Sequence, residues 1–300
     1  MGSLVSKPVR QHSRQLPPKF EGERPELDKP WRNFKWDQKS ELKKQLEEFT
    51  PSNPAVTEIK ILVAGQIGAG KSSFINSVNS AFQGRITSGA LVDSSAGNSK
   101  SFTKTLREIK IRSKKNLPIV FRDIMGLEPE MLAGTHTDDI INAVFGHVKE
   151  GYRFKESKQI ACKDQHYTGN PSLSDQAFCL VYIIAADTVQ FTDDKLMDKL
   201  RIIRQRISAE GIPQVIVMTK VDEACPLVKN DLRNIYQSKK IKEKMQMCSD
   251  KVGVPMCNIF PVKNYHDEID TDDNVDVLIL KALDQIVHLA DDRLLNSSSS

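Results

Sequence analysis

Gly65-Gln66-Ile67-Gly68-Ala69-Gly70-Lys71-Ser72, or GQIGAGKS, has the form G-x-x-x-x-G-K-S. Just before it runs Ile59-Lys60-Ile61-Leu62-Val63-Ala64, a short apolar stretch with the pattern of a buried strand. Just after it, Phe74, Ile75 and Val78 fall on one helical face. Strand, glycine loop and helix together are the setting that a phosphate-binding loop requires. Glycines let the backbone curl so that successive N–H groups face an anion, and the helix N-terminus adds its positive end. The spacing therefore predicts phosphate contacts along Gly65, Ile67, Gly68, Ala69, Gly70, Lys71, Ser72 and Ser73. Lys71 would reach the outer phosphates, as a candidate transition-state contact, and the Ser72 hydroxyl would hold Mg²⁺.

The whole chain sets bounds on this reading. Its 300 residues suit one large domain or two modest ones, and 39% hydrophobic with 27% charged residues is an ordinary globular composition. A net charge of +4 is too mild to argue for nucleic acid. No apolar run reaches the roughly 18 residues of a membrane helix. The five cysteines (Cys162, Cys179, Cys225, Cys248 and Cys257) lack metal-ligand spacing. Cys179 sits in an apolar run and reads as a buried thiol, and a reducing, cytoplasmic setting fits the set.

Residues 1–36 carry Pro8, Pro17, Pro18, Pro25 and Pro30 with little periodicity, and read as an extended or disordered arm. In 37–55, Leu42, Leu46 and Phe49 form an amphipathic helical stripe, and Pro51 and Pro54 close the helix into a linker. Residues 56–295 alternate strand and helix patterns, which predicts an α/β fold with a doubly wound, mostly parallel sheet. Later strands are expected at 178–186, 214–219 and 257–262, and helices near 192–210, 228–248 and 273–292. Residues 296–300 read as a solvated tail.

The next motifs separate guanine from adenine nucleotides. Ile119-Val120-Phe121-Arg122 reads as a strand that delivers Asp123-Ile124-Met125-Gly126, a D-x-x-G. Asp123 would reach the Mg²⁺ shell, and the Gly126 amide would sense a γ-phosphate. Val215-Ile216-Val217-Met218 runs into Thr219-Lys220-Val221-Asp222. A carboxylate at Asp222 accepts two hydrogen bonds from guanine N1–H and its exocyclic amine, and Lys220 would lay its stem over the base. Residues 95–105, rich in Ser, Gly and Thr, read as a mobile switch, with Thr103 the first and Thr105 the second choice for a hydroxyl on Mg²⁺.

In order, GQIGAGKSS, a Thr-bearing switch, DIMGLE and TKVD resemble the TRAFAC class of P-loop GTPases, and so imply a G-domain fold binding GTP or GDP with Mg²⁺. More narrowly, IGAGKSSFINSV, DIMGLE, Asp138-Asp139-Ile140, Val262-Lys263-Asn264-Tyr265 and the earlier Trp31-Arg32-Asn33-Phe34-Lys35-Trp36 resemble the interferon-induced protein 44 family. The likeness runs over residues 31–295. Full-length relatives can carry an N-terminal TLDc domain, for which this chain is too short ahead of its P-loop region. The resemblance implies a cytoplasmic GTP-binding protein of the interferon response, with antiviral and antiproliferative roles. It also implies Asn at the first position of the TKVD motif, where this chain has Thr219. Pro261-Val262-Lys263 follows the last strand, where similar proteins bring a backbone amide and a lysine to the guanine, so the likeness implies Val262 and Lys263 as base contacts.

Ras-like switches carry a water-orienting Gln after D-x-x-G. Here the residue is Leu127, which cannot orient water, so hydrolysis should be slow or should use a group from a partner or second subunit. Residues 128–175 exceed a minimal switch region and read either as a partner or self-association surface or as a cap on the sheet. His136, His147 and His166 within them lack ligand spacing and read as surface histidines. Met1-Gly2-Ser3-Leu4-Val5-Ser6 fits the N-myristoylation pattern M-G-x-x-x-[ST]. It reads equally as an acylated, basic membrane contact at Gly2 or as a leader or coincidental match. Two functions stay open, a GTP-binding switch with slow hydrolysis and a scaffold holding a structural guanine nucleotide. An ATP-dependent kinase is disfavoured by Asp222.

Overall fold

The computed structural model describes residues 25–90, 105–124, 126–127, 136–155 and 158–297. Six strands form one sheet: β1 (Ile59–Gly65), β2 (Arg107–Arg112), β3 (Asn116–Asp123), β4 (Cys179–Ala185), β5 (Gln214–Thr219) and β6 (Ile259–Pro261). Their order is β2-β3-β1-β4-β5-β6, with β2 antiparallel to β3 and every other pair parallel. β4 and β5 are buried at every position, and β1 at all but Lys60. Strands covered on both faces need continuous apolar runs rather than alternation, and that is what these sequences supply.

The helices are α1 (Lys39–Glu48), α2 (Lys71–Gln83), α3 (Thr137–Val144), α4 (Asp194–Ser208), α5 (Val221–Ala224), α6 (Pro226–Asn230), α7 (Lys239–Val252) and α8 (Asp273–Ser297). α1 and α2 pack on α8, while α4 packs on both α3 and α7. Leu42 and Leu46 bury the apolar stripe of α1. At its start Lys39 Nζ reaches carboxylate oxygens of Asp273 and Asp276, each at 2.7 Å. Among the described residues no helix is long and apolar enough to cross a membrane.

Three expectations change. The helix expected near 228–248 is broken into α6, a 3-10 turn at Leu232–Tyr236, and α7. Asp231 is extended and its side chain accepts from the Arg233 amide, and the Ser238 hydroxyl accepts from the Ile241 amide to start α7. Both residues satisfy fresh helix starts instead of continuing an old helix. α8 runs to Ser297, into the stretch that reads as a tail. The last part of the expected arm, 25–36, is packed down. Trp31 stacks edge-on against Tyr236, and Arg32 donates to the carbonyls of Met256 at 2.8 Å and Ile259 at 2.9 Å. Residues 1–24, with the Gly2 motif, lie outside the described residues.

The described part of the 128–175 insert is a packed cap. Val148, Tyr152, Phe154 and Ile160 are buried, and buried Asp139 accepts from the Ile160 amide at 2.9 Å. Arg122, near the end of β3, fastens this cap to the sheet. Its guanidinium donates to the carbonyls of Ala143 at 2.8 Å, Asp175 at 3.1 Å and Val148 at 2.5 Å. Arg122→Met keeps much of the volume and removes those three bonds, although the Ala143 carbonyl keeps the Gly146 amide. It should cost about 3 kcal/mol or more, read as a lower denaturation midpoint. Amide exchange should rise first in α3 and 145–175. A loss under about 1 kcal/mol would mean that apolar packing alone holds the cap.

Candidate functional site

The loop from β1 to α2 curls as its glycines require. Gly68 and Gly70 have φ of 74° and 89°, left-handed values that favour glycine. Gly126 is needed for a different reason. A Cβ there would fall 2.5 Å from Ile67 Cγ1 and 3.0 Å from Ile67 Cα, so the D-x-x-G backbone lies directly on the loop. The contact continues one residue on, where the Leu127 amide donates to the Gly65 carbonyl at 2.9 Å. Leu127 itself is fully buried.

Lys71 opens α2, and its ammonium donates to the carbonyls of Gly65 at 3.1 Å and Gln66 at 3.0 Å, which lays it along the loop. The Ser72 hydroxyl donates to Asp123 Oδ2 at 3.2 Å. That bond brings together the two groups expected at Mg²⁺, one from the first turn of α2 and one from the end of β3. A hydroxyl and a carboxylate are hard oxygen donors of the kind Mg²⁺ takes, usually with waters and phosphate oxygens completing the shell. The donor set fits the ion.

A cavity of about 550 Å³ opens beside the loop, lined by Gly68, Gly70, Lys71, Ser72 and Ser73 and, from other elements, by Asp222, Lys263 and Asn264. Ligand pockets commonly fall within roughly 300–1,000 Å³. Lys220, which also lines it, has φ of 55°, alone among the described non-glycine residues in being positive. The left-handed turn directs the chain from β5 straight into α5, whose first turn carries Asp222. The Lys220 ammonium sits 3.8 Å from both Asp187 and Glu223.

Other predicted residues take different places. Thr219 does not line the cavity; it is fully buried, and its hydroxyl donates to the Ala69 carbonyl at 2.6 Å. Gly65, Ile67 and Ala69 of the loop do not line the cavity. Val262 is corrected as a base contact, because its side chain is in the core and its amide donates to Met218 O at 2.7 Å. Lys263, the next residue, takes the wall position. Thr103 lies outside the described residues, as do 91–102 and 128–135. Thr105 instead makes a strand-like bridge with Arg153. The three histidines of the insert have local partners, Thr168 O for His147, Asp164 for His166 and the Asp138 amide for His136. Among the described residues no cluster of His, Cys, Asp and Glu could hold a metal.

Sequence reasoning missed Asn264 and Glu268. Asn264 Nδ2 donates to the Gly70 carbonyl at 3.1 Å, a bond between residues 194 apart that no local pattern announces. Glu268 pairs with Lys263 at 2.7 Å. Burial would raise the Glu268 carboxyl, but the His266 amide and the Lys263 ammonium outweigh it and hold the carboxyl down at about 2. A depressed carboxyl stabilises the fold fully above its ordinary value of 4.5, and that stabilisation is lost as pH falls through about 2. An NMR titration of the Glu268 carboxyl should have its midpoint near the lower value. A midpoint near 4.5 would mean that Lys263 is unpaired in solution.

No protein-family model matches the chain. Human interferon-induced protein 44 is 34% identical over 252 residues, 83% of this chain and 56% of that protein. Human interferon-induced protein 44-like is 31% identical over 261 residues, 86% of this chain and 57% of that one. The mouse interferon-induced protein 44 is 32% identical over 258 residues, covering 85% and 60%. The chain thus spans a little over half the length of these relatives. Solved structures that overlap it include chloroplast translocon components, at 15% identity and TM-score 0.45 over 85% of this chain and 90% of that one. A GTP-binding protein from Sulfolobus solfataricus in complex with GDP overlaps at 13% identity and TM-score 0.38, over 79% and 53%. Overlaps of this size assign no residue a role. The sheet order and the loop between β1 and α2 are those of a P-loop G-domain fold. The chain is a homologue of interferon-induced protein 44 and, through the aligned segment, belongs to that family.

Proposed function

We propose that this chain binds GTP and GDP with Mg²⁺, hydrolyses GTP slowly unless a partner assists, and acts as a cytoplasmic switch in the interferon-induced antiviral response. One observation carries the nucleotide reading. A single cavity is lined both by the phosphate loop and by Asp222, Lys220 and Lys263, the residues suited to a guanine. The loop amides and Lys71 take the phosphates. Ser72 and Asp123 would hold Mg²⁺, which when bound neutralises charge on the phosphate oxygens. Asp222 accepts from the guanine edge, which adenine cannot match with the same pair of donors. The interferon link rests on the relatives' names.

Slow turnover follows from Leu127. Its side chain is fully buried and its amide is bonded to Gly65, so it neither polarises nor orients an attacking water. The same observation favours a second reading, a scaffold with a structural guanine nucleotide. The two differ in whether GTP and GDP produce different conformations, since a ligand with equal contacts to two states shifts neither.

Two variants test the nucleotide reading. Lys71→Ala should weaken GTP binding about 10- to 100-fold in a titration with a fluorescent analogue. Asp222→Asn should lose GTP and gain xanthosine triphosphate, whose extra carbonyl meets the new amide, because a site built to pair with particular donors rejects a base lacking them. Unchanged GTP affinity in both variants would place the nucleotide elsewhere.

A further inference from the structure

Two carbonyls of the phosphate loop are held by side chains from the ends of two different strands. Thr219, the last residue of β5, donates its hydroxyl to Ala69 O at 2.6 Å. Asn264, three residues past β6, donates Nδ2 to Gly70 O at 3.1 Å. Each carbonyl shares a planar trans peptide with the next residue's N–H, and the two groups of such a unit point opposite ways. Fixing Ala69 O therefore fixes the direction of the Gly70 amide, and fixing Gly70 O fixes that of the Lys71 amide. Gly70 and Lys71 both line the cavity.

The loop needs this restraint. Gly70 stands at φ of 89°, and a glycine samples more backbone conformations than any other residue. Its carbonyl also accepts the Phe74 amide at 2.8 Å, a bond along the α2 axis that leaves sideways tilt open. Asn264 supplies the lateral hold and is itself braced on both sides. The Val262 amide is bonded to Met218 O at 2.7 Å, and the Tyr265 amide to Ser77 Oγ at 3.0 Å. The Tyr265 hydroxyl in turn donates to Asp276 Oδ1 at 2.6 Å. The carboxamide oxygen of Asn264 is buried with no hydrogen-bond partner among the described residues. Folding alone does not account for that cost, since an apolar side chain would avoid it.

We propose that Asn264 and Thr219 form a two-point clasp that aims the Gly70 and Lys71 amides at the phosphates of a bound nucleotide. Asn264 is then a positioning residue for phosphate binding. The proposal rests on the nucleotide reading above and adds a distinction to it. The clasp acts on the phosphate end, so its loss weakens every phosphate-bearing ligand by a similar factor, whereas Asp222 discriminates between bases.

The test compares the wild-type chain with Asn264→Ala and Asn264→Asp. The second variant is nearly isosteric and replaces the donor with a carboxylate, so it reports even where the first fails to fold. Each protein is titrated calorimetrically with GDP and with pyrophosphate, which has no base. The Gly70 and Lys71 amide signals are also followed by NMR without ligand. The clasp predicts affinities for both ligands lowered about tenfold or more by a similar factor, with both amide signals displaced. A loss confined to GDP would make Asn264 a base contact and overturn the proposal, as would unchanged affinity for both. Failure of the wild type to bind either ligand would sink the nucleotide reading by itself. Unmoved Gly70 and Lys71 signals would overturn the clasp independently of it.

Discussion

The first amides of α2 have no acceptor inside the helix, and the rest of the site is organised around that shortage. A helix N-terminus reached through a glycine loop can present those amides to an anion. It does so only if the loop is held still. In this chain the restraint comes from neighbouring strand ends, with β1 flanked by β3 and β4 at the middle of the sheet. Parallel pairing sets the C-terminal ends of β1, β3, β5 and β6 along one edge. Asp123 at the end of β3 then holds Ser72, while Thr219 at the end of β5 and Asn264 in the segment after β6 hold the loop carbonyls.

The residues lining the cavity have two different physical characters. On the proposed reading, backbone donors and Lys71 would meet the phosphate charge, and those contacts would be indifferent to the base. Lys220 sits in a left-handed turn, and Asp222 follows it in the first turn of α5. The Lys263–Glu268 pair stiffens the cavity wall. Gly126 and Leu127 tie the start of the D-x-x-G segment to the loop by close packing and a main-chain bond. On the proposed reading, a conformational response to the γ-phosphate must therefore begin beyond Leu127 or loosen this contact.

Much of the fold was legible because its signals are local. The apolar runs of β1, β4 and β5 and the glycine spacing between β1 and α2 each declare themselves within a few residues. What escaped depends on pairing across the chain. Val262 reads as a base contact until its amide is seen bonded to Met218, which moves the wall position to Lys263. Arg122 looks like an ordinary charge near a strand end, yet it is buried and bonded to three carbonyls of the cap. Thr219 departs from the residue expected at its position, and its hydroxyl holds the loop at Ala69 while Asn264 holds it one peptide further on. The break between α6 and α7 escaped because the apolar pattern passes through it, while Asp231 and Ser238 start new turns.

On the proposed reading, this cavity selects a guanine nucleotide by holding phosphates on the loop and the base edge at Asp222. Calorimetric titration of the wild-type chain with GDP and ADP, each with Mg²⁺, tests it most directly. Binding of GDP should be saturable and one-to-one, and binding of ADP at least about a hundredfold weaker, since the guanine-edge donors that Asp222 accepts are absent from adenine. Equal affinities for the two, or no binding of GDP, would contradict it.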